Sequence, residues 1–226
     1  DSIIDRDSIC TLAFPINDIV ANNISDSEFS FTIKDKNKSS VNYQFRIYPK
    51  DNEDALLYYT ESGDLSENNS WFNLKSKFIQ VKSLMPNTTY SIELIAGNLD
   101  YKYNFIKEKD FTTYVSEIKD VSIFEVLDTS AKILIEDENN INTEYRIAVK
   151  NTDVRKNQFF DNNPNLNNKE AWVVIQNSDK LPGSDSVHKN ISLTGLEPNS
   201  SYSIEISARN LDYNESEIYI KSLTTL

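Results

Sequence analysis

The chain has 226 residues, a formal net charge of −12, 38% hydrophobic and 11% aromatic residues, one Cys and one His. That apolar share suffices for packed cores, and no run of 18 apolar residues is present to span a membrane. Residues 1–114 carry 17 acidic and 12 basic side chains and residues 115–226 carry 18 and 11, so both halves repel phosphate backbones and nucleic acid is excluded as a partner. The first polar residues, 1–8, read as frayed. A first strand is expected near Ile9 to Phe14, with Cys10 a small apolar residue inside it, and Pro15 to Asp26 reads as loop. Strands follow at Glu28–Lys34 and Val41–Tyr48, each with apolar residues at every second position. A long segment from Pro49 to Lys77 comes next, then strands Lys77–Leu84, Thr89–Asn98 and Lys102–Thr112.

The same order returns. Strands are expected at Asp120–Val126, Ser130–Glu136 and Thr143–Lys150, then a long segment from Asn151 to Val187, then strands His188–Leu193, Ser201–Asn210 and Glu215–Leu223. The repeat is most explicit at Leu84-Met85-Pro86-Asn87-Thr88-Thr89-Tyr90-Ser91-Ile92-Glu93-Leu94-Ile95-Ala96, which returns 112 residues later as Leu196-Glu197-Pro198-Asn199-Ser200-Ser201-Tyr202-Ser203-Ile204-Glu205-Ile206-Ser207-Ala208. Each copy is a Pro-Asn turn followed by period-two alternation, the mark of a strand with one buried face. Two domains are therefore expected, residues 1–114 and 115–226, both all-β. With only 4 Gly and 27 Asn, the turns rely on Asn and Asp, and the composition reads as that of an AT-rich bacterial genome. The 12 Tyr and 11 Phe must fill much of both cores.

The pattern Leu-x-Pro-x-Thr/Ser-x-Tyr-x-Ile-x-Leu/Ile-x-Ala resembles the E–F corner and strand F of fibronectin type III domains. The resemblance implies two tandem Ig-like, fibronectin type III-like β-sandwiches. It also implies that Tyr90 and Tyr202 are tyrosine corners, with rings packed inward and hydroxyls bonded to upstream backbone. The junction Thr113 to Asp120 is short and lacks Gly and Pro, which suits a tandem array used as a stalk. The start at Asp1, with no Met and no signal peptide, reads as a mature form or an excised segment.

Catalytic chemistry finds little support. A Cys–His pair would need Cys10 and His188, in different repeats, and zinc sites built from Cys and His fail on count. No Gly-rich phosphate loop exists. His188 is expected at the surface. The loops Asp51-Asn52-Glu53-Asp54 and Asp137-Glu138-Asn139-Asn140 hold oxygen ligands without EF-hand spacing, and no metal or other cofactor is assigned. The duplicated Asn98-Leu99-Asp100-Tyr101 and Asn210-Leu211-Asp212-Tyr213 mark the F–G turns, where a shared structural role is expected, with Leu and Tyr covering the sandwich end. The C-to-E segments diverge in length and carry surplus aromatics. Trp71 and Trp172 occupy matching places and are expected in the core, whereas Tyr58, Tyr59, Phe159 and Phe160 form the candidate binding surface for a protein or glycan partner.

The sequence thus supports a non-enzymatic segment of a bacterial surface or secreted protein, serving adhesion, protein binding or spacing. The alternative is an accessory carbohydrate-contacting module of a carbohydrate-active enzyme.

Overall fold

The structure is a computed structural model that describes residues 11–74, 76–103, 105–175, 178–180 and 187–226. The chain divides into two compact units, Asp1–Leu84 with Thr89–Thr112, and Met85–Thr88 with Thr113–Leu226. The first contains β1 (Asp18–Ile24), β2 (Phe29–Lys34), β3 (Asn42–Pro49), β4 (Leu57–Tyr59), β5 (Leu65–Ser66), β6 (Phe72–Asn73), β7 (Phe78–Val81), β8 (Thr89–Gly97) and β9 (Ile106–Thr112). The second contains β10 (Asp120–Phe124), β11 (Ser130–Glu136), β12 (Glu144–Asn151), β13 (Lys156–Phe159), β14 (Val173–Val174), β15 (Ser178–Lys180), β16 (Val187–Thr194), β17 (Ser201–Arg209) and β18 (Tyr219–Thr224).

Each unit is two antiparallel sheets. In the first they run β1-β2-β7 and β5-β4-β3-β8-β9, with β6 added to β3. In the second they run β10-β11-β16-β15 and β13-β12-β17-β18, with β14 added to β12. The strands around the duplicated corner follow the expected alternation: Tyr90, Ile92, Leu94 and Ala96 are buried, as are Tyr202, Ile204, Ile206 and Ala208. Asn87 and Asn199 take the left-handed turn position, at φ 46° and φ 48°, which Asn tolerates better than most residues.

The first strand departs from expectation. Ile9 and Cys10 lie outside the described residues, Thr11–Phe14 is not strand, and β1 lies within the stretch read as loop. Its Asn22 and Asn23 carry the appearance of a loop. A register shift between Ala21 and Asn23 accommodates them, as β-bulges do, and Asn22 Nδ2 donates across the pair to Thr32 Oγ1 at 2.9 Å. Ile19, fully buried and opposite Ile33, anchors the strand. Strands β9 and β18 begin later than expected, at Ile106 and Tyr219.

The cores differ in chemistry. In the first unit Phe29, Phe31, Phe45, Phe72 and Phe111 fill the interior, with Phe29 and Phe111 stacked at 5.0 Å and Phe31 tilted against Phe45 at 5.4 Å. The second core is largely aliphatic, built on Ile133, Ile135, Ile147, Val149, Ile191 and Leu193 around Tyr145.

Candidate binding surface at the outer sheet face and the F–G turns

Alternation divides β3, β8, β12 and β17 into inward and outward sets. Gln44, Arg46, Glu93, Ile95 and Gly97 point outward in the first unit, and Arg146, Ala148, Ser207 and Arg209 in the second. Several of these are nonetheless buried, Gln44, Ile95, Ala148 and Ser207 among them. The cover comes from the C-to-E segments. In the first unit Gln44 Nε2 donates to Asn69 Oδ1 at 2.5 Å, and Trp71 lies so close to Gly97 that a Cβ there would stand 2.5 Å from Trp71 Cζ3. In the second unit Arg209 stands where Gly97 stood, and Trp172 stacks on its guanidinium at 4.3 Å. Arg146 lies 5.9 Å from the same ring and pairs with Glu170 at 3.6 Å. Arg209 is held in turn by Glu144, Nε to Oε2, at 2.6 Å.

Both tryptophans therefore sit half-buried on the outer face, not in the core. The neighbouring residues, Phe72 and Val173, point inward and join it. One-residue alternation also splits the four candidate rings. Tyr58 is paired with Arg46 and Phe159 with Ala148 on outward positions, and both are half-buried. Tyr59 turns inward against Phe45 at 5.8 Å and Phe72 at 5.3 Å. Burial, then the Asp64 charge, pushes its phenol pKa up. Phe160 is 7% exposed and belongs to the second core. Tyr58 and Phe159 are thus the two candidates left facing outward.

The F–G turns have the same construction in both units. Asn98 and Asn210 are buried. Asn98 Oδ1 accepts the Asp100 and Lys102 N–H groups, both at 3.0 Å, and Asn210 Oδ1 accepts those of Asp212 and Asn214 at 3.0 and 2.8 Å. Asn thus supplies the turn. Leu and Tyr do not cover the sandwich end as expected. Leu99 is 65% exposed, Leu211 64%, Tyr101 54% and Tyr213 71%. Tyr101 and Tyr213 take φ of 58° and 62°, a region bulky side chains seldom occupy. Tyr101 rests against Trp71 at 5.4 Å and Tyr213 against the Arg209 guanidinium at 5.0 Å. In the first unit Tyr103, also near Trp71 at 6.3 Å, and Phe105 extend the exposed apolar surface. A cavity of about 320 Å³ adjoins that turn, lined by Leu12, Phe14, Leu99, Lys36 and Lys38 among others.

At the E–F corners, Tyr90 and Tyr202 are buried, and the Tyr202 hydroxyl accepts the Glu197 N–H at 2.7 Å. His188 is corrected from the surface to the interior, at 4% exposed. It lies in β16, flanked by Glu136 of β11 and Asp179 of β15, so both sides of its strand are paired.

One constellation escaped the sequence reading. Asp35, read as part of a charged turn, buries its side chain, which accepts from the Tyr43 hydroxyl at 2.8 Å and from the Lys77 ammonium. The side chain of its counterpart Asp137, read as a possible calcium ligand, is fully buried. Its Oδ2 accepts from the Tyr145 hydroxyl at 2.7 Å and its Oδ1 from Lys189 Nζ at 2.6 Å. The signal was present: Asp137 and Tyr145 follow Asp35 and Tyr43 by 102 residues, and Lys189 follows Lys77 by 112. Burial first raises the pKa of both phenols. The hydrogen bond to Asp35 adds to this at Tyr43, and the charge of Asp137 adds to it at Tyr145.

No protein-family model matches the chain, and no curated protein sequence does. Among solved structures, a two-domain fibronectin type III segment from chicken tenascin matches at a TM-score of 0.60 and 14% identity, over 93% of this chain and 99% of that one. The FN1–FN3 domains of chicken CNTN1 match at TM-score 0.33 and 14% identity, over 94% of this chain and 65% of that one. A computationally redesigned β-sandwich protein matches at TM-score 0.32 and 21% identity, over 49% and 95%. Of these three the tenascin segment bears on the fold: the chain is all-β, two tandem fibronectin type III-like β-sandwiches.

Proposed function

We propose that this chain is a non-enzymatic binding segment of a bacterial surface or secreted protein, its two domains divided near residue 114, and that it acts in adhesion or protein capture. The observation that carries this reading is the exposed Leu and Tyr of both F–G turns. The buried Asn accounts for the turn, and the fold assigns no packing role to Leu99 or Leu211. Exposed apolar side chains grouped beside aromatic rings are a usual mark of a docking site. The outward rings Tyr58 and Phe159 extend the proposed surface. The composition, poor in Gly and rich in Asn, supports the bacterial source. Fractionation of the source cells finding the parent protein only in the cytosol would overturn the location.

Binding is tested by displaying the purified protein against a panel of matrix and host-surface proteins and against a glycan array. Replacing Leu99, Tyr101, Leu211 and Tyr213 together with Ala is expected to weaken any protein ligand at least tenfold, with little change in melting temperature. Tyr58→Ala with Phe159→Ala is expected to weaken it less. Hits confined to the glycan array favour the carbohydrate-contacting reading, in which the rings stack on sugars. Full binding by the four-residue variant would move the site off the F–G turns.

A further inference from the structure

We propose that Asp137 and Lys189 condense to an intramolecular amide, a self-formed cross-link between the end of β11 and the adjacent β16. The two groups are held in contact, Nζ to Oδ1 at 2.6 Å, with side chains 4% and 0% exposed for Lys189 and Asp137. The carboxylate is fixed from three sides. Tyr145, reaching across from the other sheet, donates to Oδ2 at 2.7 Å. The Asn139 N–H donates to Oδ1 at 2.9 Å. Lys189 is itself held by the Asn139 carbonyl at 3.3 Å and by the Tyr145 ring, 5.2 Å from Nζ. These contacts hold the amine and the carboxyl group against each other in a site closed to solvent, and a buried ion pair by itself contributes little net stability.

The step needs no other reactant. A proton passes from the Lys189 ammonium to Oδ1, leaving a neutral amine against a carboxyl group. The nitrogen lone pair attacks Cγ, and the Tyr145 hydroxyl donates to the negative charge growing on Oδ2, as an oxyanion donor does. Oδ1 takes a second proton from the nitrogen, the Cγ–Oδ1 bond breaks, and one water leaves. The products are a secondary amide and water, with no change of oxidation state. Condensation of an amine with an acid is unfavourable between free molecules in water. Well-oriented groups in one molecule reach effective molarities of about 10⁵–10⁸ M, and the dry site disfavours the return of water.

The first unit supplies an internal control. Asp35, Tyr43 and Lys77 repeat the arrangement, but the Lys77 side chain is 29% exposed. Water at that amine competes for it, so this pair stays ionic.

The test is the intact mass of the purified full chain after incubation at growth temperature. The expected result is a deficit of one water, with proteolysis yielding one branched peptide that joins Asp137 to Lys189. Lys189→Arg, which keeps the charge and removes the amine, is expected to restore the full mass, and Tyr145→Phe to slow the loss. A wild-type mass equal to the sequence mass overturns the proposal whether or not the variants fold. So does a water deficit without a branched peptide, or a branch at other residues. A second branch at Asp35 and Lys77 would overturn the role given to water exclusion.

Discussion

The two units share a plan and differ in filling. Where the first core has Phe29, Phe31, Phe45 and Phe111, the corresponding positions of the second hold Ala131, Ile133, Ile147 and Leu223. The same exchange occurs on the outer face, where Trp71 lies on Gly97 and Trp172 lies on Arg209. In the core four rings give way to one Ala, two Ile and one Leu, and on the outer face the Trp is kept while its partner changes from Gly to Arg. The strand order of the two units is thus kept although the side chains that fill their interiors differ in size and shape. The buried Tyr–Asp–Lys group is retained while its surroundings change, so it is set by local geometry and not by the bulk of the core.

Alkaline titration should break the comparison most strongly. The phenols of Tyr43 and Tyr145 are both raised, first by burial. Each therefore contributes stability that is complete below the unfolded value, about pH 10, and is lost as pH rises towards the folded value. Both units should lose stability above about pH 10 and unfold cooperatively. Two tyrosines should ionise only with unfolding, read by ultraviolet absorbance beside circular dichroism. Ionisation of all tyrosines before any loss of structure would count against the network.

Truncating the first core comes next. Phe31→Ala is expected to cost about 3–5 kcal/mol and to lower only the first unit's transition in calorimetry, and Ile133→Ala about 2–5 kcal/mol in the second. A matched loss in both transitions would show that the units do not unfold separately. Tyr202→Phe leaves the Glu197 N–H without its acceptor and should cost about 1–3 kcal/mol, again within one unit.

The outer face gives the smallest effects, and they sharpen the comparison. Gly97→Ala should displace Trp71, costing about 1–3 kcal/mol with a red shift of its fluorescence. Arg209→Ala should free Trp172 at a cost of about 0.5–2 kcal/mol. An unchanged tryptophan spectrum in either variant would contradict the stacking described above.

The sequence made the repeat, the sheet-forming alternation and the corner legible, because period-two burial writes itself into Tyr90-x-Ile92-x-Leu94 and its copy. β1 was hidden because only Ile19 carries its burial while Asn22 and Asn23 advertise a turn. The rings of the C-to-E segments were legible as a set but not one by one. Which of Tyr58 and Tyr59, or of Trp71 and Phe72, faces inward depends on the register with β3, and no local pattern states it. Asp35 and Asp137 were misread for the opposite reason. A charge beside Asn and Lys resembles a solvated turn until a tyrosine eight residues on and a lysine from the neighbouring strand of the same sheet are brought to it.

The unlike cores also bear on how the chain reaches its fold. Tandem domains of similar sequence are prone to exchanging strands as they form, and β8 and β17 share their Tyr-Ser-Ile-Glu alternation. A strand from the first unit would bring its neighbours' rings to an interior shaped for Ile and Val, and the reverse exchange would leave voids among the rings. Sequence divergence inside the two interiors therefore acts as an editor of assembly. Grafting the Phe set of the first unit onto Ala131, Ile133, Ile147 and Leu223 is expected to lower the yield of monomer on refolding, measured by light scattering. An unchanged yield would remove that role from the cores.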